Sequence, residues 1–495
     1  MGLLDVTAVM GFTDPARLLE NLLRIIWPLI LALLHVWDHL DRRRTARLAN
    51  RYRPFAVPPA EEARYRTSDV SLVVPTVDWD PDELVRNVLS WVASAPREVI
   101  FVTTRSAAPR LRAVLLGAPE VREAAWASAT DFYVVTTQRP NKRLQLCRGF
   151  NVATGRILAL VDDDATWTTP QVLTNLLAPL NAADGDDVAL VGGPIGSYVP
   201  SARRDAKVIT AWEAAALRIR SRRAPGMRAF FVADGSTNFT VSGLTMLLRG
   251  EVARDSYFQY LFMNDQWNGV PQKTGDDGFI TRYVLFQHHL PHHQHRPAKP
   301  TGGDPPKRWR LAMQLVPDAL VLTSLIADSR SAAQSKLWYR TGLRLRLTCL
   351  LFEPGFWCMR STAPYMTRKM AAGLLQPLFT LVWAVAWWQT LRVLPILAWG
   401  TLLCGLWAWT VSLSDFLREH PYCWRKLWAV MLADRVTLIS DWYSWLTLST
   451  ESWGNRSSVA GAEAPAEDVP EDPGARDDAI VAVCRRNLAE YAVRK

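Results

Sequence analysis

No two of the six cysteines (Cys147, Cys349, Cys358, Cys404, Cys423 and Cys484) stand in a CxxC pair, and 495 residues is far too long for a small disulfide framework. That spacing excludes a zinc ribbon and a stapled secreted fold, and predicts reduced thiols in a protein facing the cytosol. No small-residue cleavage site follows the apolar N-terminal stretch, so no removable signal peptide is expected. Acidic residues are outnumbered, 47 against 57 basic ones, for a formal charge of +10. The arginines are scattered or flank apolar runs. They form no basic stripe with interleaved aromatics, so no nucleic-acid partner is expected. A hydrophobic content of 49% excludes general disorder, and 22 tryptophans beside a basic excess suit a protein whose rings and cations meet lipid head groups.

Long apolar runs are also scarce. Residues 18–37 contain Glu20 and Arg24, and the uninterrupted part, 25–37, is shorter than the roughly 20 residues that cross a bilayer. Residues 1–41 are therefore read as an N-terminal membrane helix, either spanning or lying in the interface. A basic juxtamembrane linker, 42–68, follows; its arginines (Arg42, Arg43, Arg44, Arg47, Arg51, Arg53) belong on the cytoplasmic side. Residues 370–413 read as a transmembrane hairpin turning near Arg392. The Trp- and Tyr-rich segments 347–369 and 414–456 are broken by charges and read as interfacial. Residues 457–495 form an acidic tail of disordered composition.

Between these, residues 69–346 alternate strand and helix. DVSLVVPTVD, REVIFVTT, DFYVVTT, RILALVDDD and DVALVGGPIG are short Val-rich runs, with helical spacing at 81–93, 142–153 and 170–180. That order predicts an α/β fold, a doubly wound and mostly parallel sheet whose ligand binds at the carboxyl strand ends. Asp162, Asp163 and Asp164 follow one such run directly. Strand alternation sends Asp162 and Asp164 one way and Asp163 another, and adjacent carboxylates that repel are relieved by a divalent ion on oxygen ligands, Mg²⁺ or Mn²⁺. An acidic loop or helix cap reads equally well from the triplet alone. Asp276 and Asp277 precede a helix-like run, where a carboxylate can cap or act as a general base. VADGSTNFTVSGLTMLLR, which holds Ser242 and Gly243, has the composition of a substrate-lining loop and strand, or of an ordinary turn.

In this order the pieces resemble the cytosolic domain of family 2 processive glycosyltransferases, the group of hyaluronan, chitin and cellulose synthases, with the fungal polysaccharide synthases nearest. The resemblance implies a GT-A-like catalytic domain at 69–346. VVPTVD, with Pro75, Thr76 and Asp78, is similar to the nucleotide-binding first strand, and NKRLQL, with Lys142 and Arg143, to the Lys-Arg element near the donor. VDDDATW resembles the metal-binding carboxylates, with Asp163 toward the donor, and TGDDGFITRY, with Asp276 and Asp277, the catalytic-base motif. VSGLTMLLR borders the acceptor. The stretch holding Gln334 and Trp338 resembles the Gln-x-x-Arg-Trp motif, but Leu337 occupies the arginine position, with Lys336 or Arg340 as substitutes. Thr103 and Thr104 stand where many relatives have aspartate, and Arg308-Trp309 is a decoy. LTLSTESWGNR, with Trp453 and Arg456, resembles a post-membrane gating element. Residues 286–310 look like an insertion whose five histidines could bind a transition metal but read first as a solvent-exposed tract.

The resemblance implies a UDP-sugar donor, a Mg²⁺ or Mn²⁺ cofactor held by Asp162 and Asp164, and inverting transfer with Asp277 as base onto a growing polysaccharide. Gln334, Trp338 and Arg340 would bind the acceptor. The alternatives are a non-processive transferase acting on a membrane lipid of the ceramide type, and an inactive membrane scaffold, which Leu337 motivates. The expected location is a multi-pass membrane protein of the plasma membrane, Golgi or endoplasmic reticulum with its catalytic domain in the cytosol. The sequons at Asn238 and Asn455 are then unglycosylated, and either a homodimer or the interfacial helices complete a polymer path.

Overall fold

The computed structural model describes residues 15–221, 224–287 and 307–450. Outside the described residues lie the histidine tract, Trp453 and Arg456, Asn455, Cys484 and the acidic tail.

The central sheet has seven strands. β1 (Val70–Pro75) lies between β2 (Glu98–Thr104) and β4 (Ile157–Val161), parallel to both, and β3 (Asp131–Thr137) extends the sheet beyond β2. On the other side, β8 (Thr245–Arg249) runs antiparallel between β4 and β6 (Val188–Gly192), and β11 (Arg310–Met313) forms the edge parallel to β6. The Val-rich runs are almost continuously apolar because β1, β2, β4, β6 and β8 are buried along their whole length, with helices on both faces. Leu72 and Val74 pack on one face with Trp91 and Phe101. Val73, between them, packs on the other with Ile100 and Phe150.

Two helices follow the sheet's logic closely. Asp80 caps the helix Pro81–Val92, its carboxylate accepting from Glu83 N at 2.9 Å. Asn141 caps Lys142–Val152, its Oδ1 accepting from the amides of Arg143 and Leu144. This second helix lies unusually close to the sheet: a Cβ on Gly149 would sit 2.3 Å from Val73 Cγ1. That closeness carries Lys142 to the end of β1, and it is why residue 149 has no side chain. A small second sheet, β5 (Ala165–Trp167), β12 (Val321–Ser324) and β7 (Ile195–Tyr198), stands over the same strand ends, and β9 (Gln266–Trp267) and β10 (Val270–Pro271) form a short antiparallel pair.

The helical part departs from the expected domain boundaries. One helix, Pro15–Asn50, runs through the arginine cluster, so the first part of the supposed linker is helical; the helix packs on Ala224–Asp234 and Gln376–Val393. The hairpin is Gln376–Val393 and Pro395–Glu419, broken at Leu394, and it starts later than expected because Pro364–Leu374 is a separate helix bent 61° away. Residues 347–369 are two short helical pieces, Thr348–Phe352 and Phe356–Thr362, and the start of Pro364–Leu374; their inner side, Cys349, Met359, Tyr365 and Met366, is core, while Leu351, Phe352 and Trp357 stay exposed. Arg310, placed in the insertion by sequence, belongs to β11.

Among the described residues, Pro395–Glu419 alone is by itself long and apolar enough to cross a membrane, and the bent pair Pro364–Leu374 with Gln376–Val393 supplies a second candidate if it counts as one span. The N-terminal helix does not join them, because charge bounds its apolar stretch on both sides. Among the described residues the five cysteines are free thiols.

Candidate active site

A cleft of about 1090 Å³ opens where β1 and β4 end, at the point where the strand order reverses. The acidic triplet leaves β4 into it. Asp162 N bonds Leu244 O, fixing the first carboxylate beside the loop before β8. Asp163 is turned into the fold: its carboxylate accepts from Thr76 Oγ1 at 2.5 Å, and its carbonyl accepts from Asn87 Nδ2 at 2.9 Å. Asp164 Oδ2 accepts from Thr323 Oγ1 of β12 at 2.7 Å. The three aspartates make a turn after β4 rather than extending the strand, and their carboxylates have three different partners.

Lys142 joins the two acidic motifs. Its Nζ lies 2.8 Å from Asp162 Oδ1 and 3.0 Å from Asp276 Oδ2. Burial works against the ammonium, yet Asp162, Asp276 and Asp277 together outweigh it and hold the lysine above its ordinary pKa. Burial raises Asp162 to about 7, helped by Asp164 and Asp276 and opposed by Lys142. For Asp276, Lys142 and Arg143 overcome burial and lower the pKa. Asp277 is pushed up to about 6 by burial and by the charge of Asp276, against Lys142 and the amides of Gly278 and Gly243. The two adjacent carboxyls therefore differ: one is held charged by a lysine, and the other is poised near neutrality.

Local backbone explains how the second pair is presented. Gly275 takes the left-handed φ of 75° just before the helix Asp276–Phe286 and offers no side chain as its cap, while Asp277 Oδ1 accepts from the first-turn amide of Gly278 at 2.7 Å. Of the pair, Asp277 thus holds an amide of the first turn, and the Asp276 carboxylate faces Lys142. Gly243 lies against the pair, its missing Cβ 3.5 Å from Asp277 Cβ and 3.6 Å from Lys142 Nζ.

Most residues singled out by sequence share this cleft: Pro75, Lys142, Asp162, Asp163 and Asp164 on one side, and Ser242, Gly243, Asp276, Asp277, Gln334 and Trp338 on the other. Four do not. Thr76 is fully buried and holds Asp163; Asp78 is exposed and outside the lining. Arg143 is buried, because neighbouring helix residues point about 100° apart and Lys142 takes the cleft side. Its guanidinium bonds Asp265, Phe262 O and Thr274 O. Arg340 is buried and donates to Thr450 O, as does Arg344 one turn on. Neither substitute for the missing guanidinium lines the cleft as Leu337 does: Arg340 shares only a small side pocket with Leu337 and Thr450, and Lys336 is exposed over the Tyr443 ring.

Two contributors escaped the sequence reading. Gln145 lines the cleft and donates to Thr76 O and Val102 O, and Thr323 comes from a strand far along the chain. Gln145 lies within NKRLQL, whereas nothing local marks Thr323. Among the described residues no group of three or more His, Cys, Asp or Glu converges as a complete metal cage. Asp162 and Asp164 offer hard oxygens beside a resident cation, a donor set that fits Mg²⁺ or Mn²⁺ completed by phosphate and water rather than by protein alone.

Residues 68–290 match the glycosyltransferase-like family 2 model. The chain is 30% identical over 429 residues to the NDP-glycosyltransferase ltbB of Aspergillus luteorubrus, covering 86% of this chain and 97% of that protein. The chain belongs to the family 2 glycosyltransferases. A type 2 glycosyltransferase of Pyricularia oryzae is 26% identical over 437 residues, 87% of this chain and 83% of its own length. A solved structure, the mannosyltransferase PcManGT of Pyrobaculum calidifontis in complex with GDP-Man and Mn²⁺, matches with a TM-score of 0.49 and 17% identity, over 87% of this chain and 100% of that one. This glycosyltransferase is an enzyme, and its mostly parallel sheet is GT-A-like.

Proposed function

We propose that this glycosyltransferase transfers a sugar from a nucleoside diphosphate donor, a UDP-sugar, to an acceptor hydroxyl with inversion, at the surface of a membrane. The observation that carries this reading is that Lys142 bridges Asp162 and Asp276 at the strand ends, in a cleft that Asp164 and Asp277 also line. Asp162 and Asp164 would hold Mg²⁺ or Mn²⁺, which supplies charge neutralisation for the departing diphosphate. Lys142 adds a second positive charge on the same side. Asp277, with its carboxyl raised to about 6, is ionised yet basic at neutral pH. It takes the acceptor hydroxyl's proton as that oxygen forms the bond to the sugar's anomeric carbon and the bond to the diphosphate oxygen breaks.

The same cleft continues past Asp277 along the helix Arg330–Leu347, by Trp338, Leu345 and Arg346, to Ala433 and Asp434 of the helix Leu427–Leu446. An acceptor reaching the base from the apolar helices is the natural occupant of that path, with Gln334 and the half-open Trp338 face as sugar contacts. A growing polysaccharide fits this arrangement and is the main reading. Among the described residues the candidate spans are one helix and one bent pair, and that small number favours a second reading: single transfer to a lipid or other small acceptor, which needs no closed channel.

Purified full-length protein in detergent, given UDP-sugars and Mn²⁺, should release UDP. The product's mass separates the readings, a high-mass polymer supporting the first and a single added hexose the second. A folded enzyme that shows no release with any UDP-sugar, and no UDP binding, would contradict the donor assignment.

A further inference from the structure

Several buried guanidiniums among the described residues are compensated in one of two ways. Arg143 and Arg282 share the carboxylate of Asp265, and Arg218 pairs with Asp434. Arg249 has no acid but donates to Val188 O, Tyr65 Oη and Gly185 O at 2.5–2.7 Å. Arg346 has neither. Its one direct hydrogen bond runs from Nη1 to Gly373 O at 3.4 Å, its Nε is buried without a partner, and among the described residues no carboxylate forms an ion pair with it. Asp441 acts on it only through its field, and burial lowers the arginine's pKa. An under-compensated charge of this kind is costly unless something else supplies the missing acceptors.

The surroundings are shaped for a ligand. Arg346 lines the cleft, and its guanidinium lies 5.0 Å from the Phe239 ring. Phe239 holds a left-handed φ of 70°, strained for an aromatic residue, and its ring is also braced edge-on by Phe230 at 5.5 Å. The neighbouring Leu345 packs against Gly278, its Cδ2 3.3 Å from where a Cβ would stand, so this part of the cleft adjoins the residue after Asp277. Arg220, stacked over Trp338 at 5.0 Å, adds a second cation to the same wall.

We propose that Arg346 binds an oxyanion, a carboxylate or a phosphate, carried by the acceptor, so that the acceptor is an anionic molecule held by its charge beside the base. This rests on the acceptor path described above. A planar guanidinium with unoccupied donors matches both oxyanions in the same two-pronged geometry. A carboxylate would come from an acidic sugar, and a phosphate from a lipid head group or phosphosugar.

The test is ligand binding by the full chain in neutral detergent, followed by calorimetry and thermal unfolding. The probes are glucuronate and glycerol 3-phosphate, with glucose and glycerol as neutral counterparts. At least one anion should bind and raise the melting temperature, the neutral probes should not, and Arg346→Gln should weaken the anion roughly tenfold or more. Which anion binds identifies the source. Arg346→Lys keeps charge and stem but loses the fork, and should bind several-fold more weakly than wild type; it decides the matter if Arg346→Gln does not fold. Equal anion binding by wild type and both variants, or none by wild type, would overturn the proposal. UDP binding with Mn²⁺ should be unchanged in both variants. Arg346-dependent anion binding in a chain that binds no UDP would instead sink the donor reading and leave the oxyanion site standing.

Discussion

Arg143 and Asp265 form an ion pair of 2.9 Å in which both side chains are more than nine-tenths buried. The same Asp265 accepts from Arg282 and Gln272, while Arg143 also holds Thr274 O, the carbonyl just before Gly275 and Asp276. A residue resembling a donor contact is therefore a strut for the loop that presents the acidic pair. Asp265→Asn should leave two buried guanidiniums undercompensated and cost about 3–5 kcal/mol. Thermal unfolding of the variant checks this, and an unchanged melting temperature would show that the network does not hold the loop.

Asp277→Asn should lower transfer by about 10²–10⁴-fold while UDP and Mn²⁺ binding stay near wild type. Turnover kinetics beside calorimetry separate the two effects. Normal turnover would remove Asp277 from the role of base.

The same residue sets two pH dependences. Turnover should fall below about pH 6 as Asp277 takes up its proton. For stability the sign is opposite. The folded carboxyl titrates near 6 against 3.8 when free, so the fold holds the proton more tightly, and this contribution is complete below pH 3.8 and lost as pH rises to about 6. Asp277→Asn should therefore melt higher than wild type at pH 8, by on the order of 2 kcal/mol, with little difference at pH 4. A variant less stable at pH 8 would mean that the ionised carboxylate is well satisfied in the fold.

Gly149→Ala places a methyl 2.3 Å from Val73 Cγ1, where only movement of the helix Lys142–Val152 or the valine relieves the clash. The expected loss is about 1–3 kcal/mol, with weaker UDP binding because Lys142 moves with its helix. Unchanged melting and binding would show that the helix can shift without cost.

The fold was largely legible because buried parallel strands announce themselves as Val-rich runs and their helices as spaced apolar residues. Asp162, Asp164, Asp276 and Asp277 were legible for a related reason: each pair stands directly beside a regular element, so local sequence fixes its position. What failed was direction and distance. Lys142 and Arg143 are equivalent on paper, but helix geometry sends one to the cleft and the other to Asp265. Arg340 falls on the face that holds Thr450, so its place near Leu337 in sequence gave no access to the cleft. Thr323 and Arg346 join the site only through tertiary packing, from strands and helices with no motif of their own. The helix Pro15–Asn50 continued through its arginines because they lie on a helix already supported by packing, which charge pattern alone does not reveal.

The most direct test of the account is UDP release from UDP-sugars by the purified full-length protein with Mn²⁺, compared among wild type, Asp164→Asn and Asp277→Asn. The account predicts metal-dependent release by wild type, loss of both release and metal-dependent UDP binding in Asp164→Asn, and loss of release alone in Asp277→Asn. Release that persists in both variants, or that ignores the metal, would contradict it.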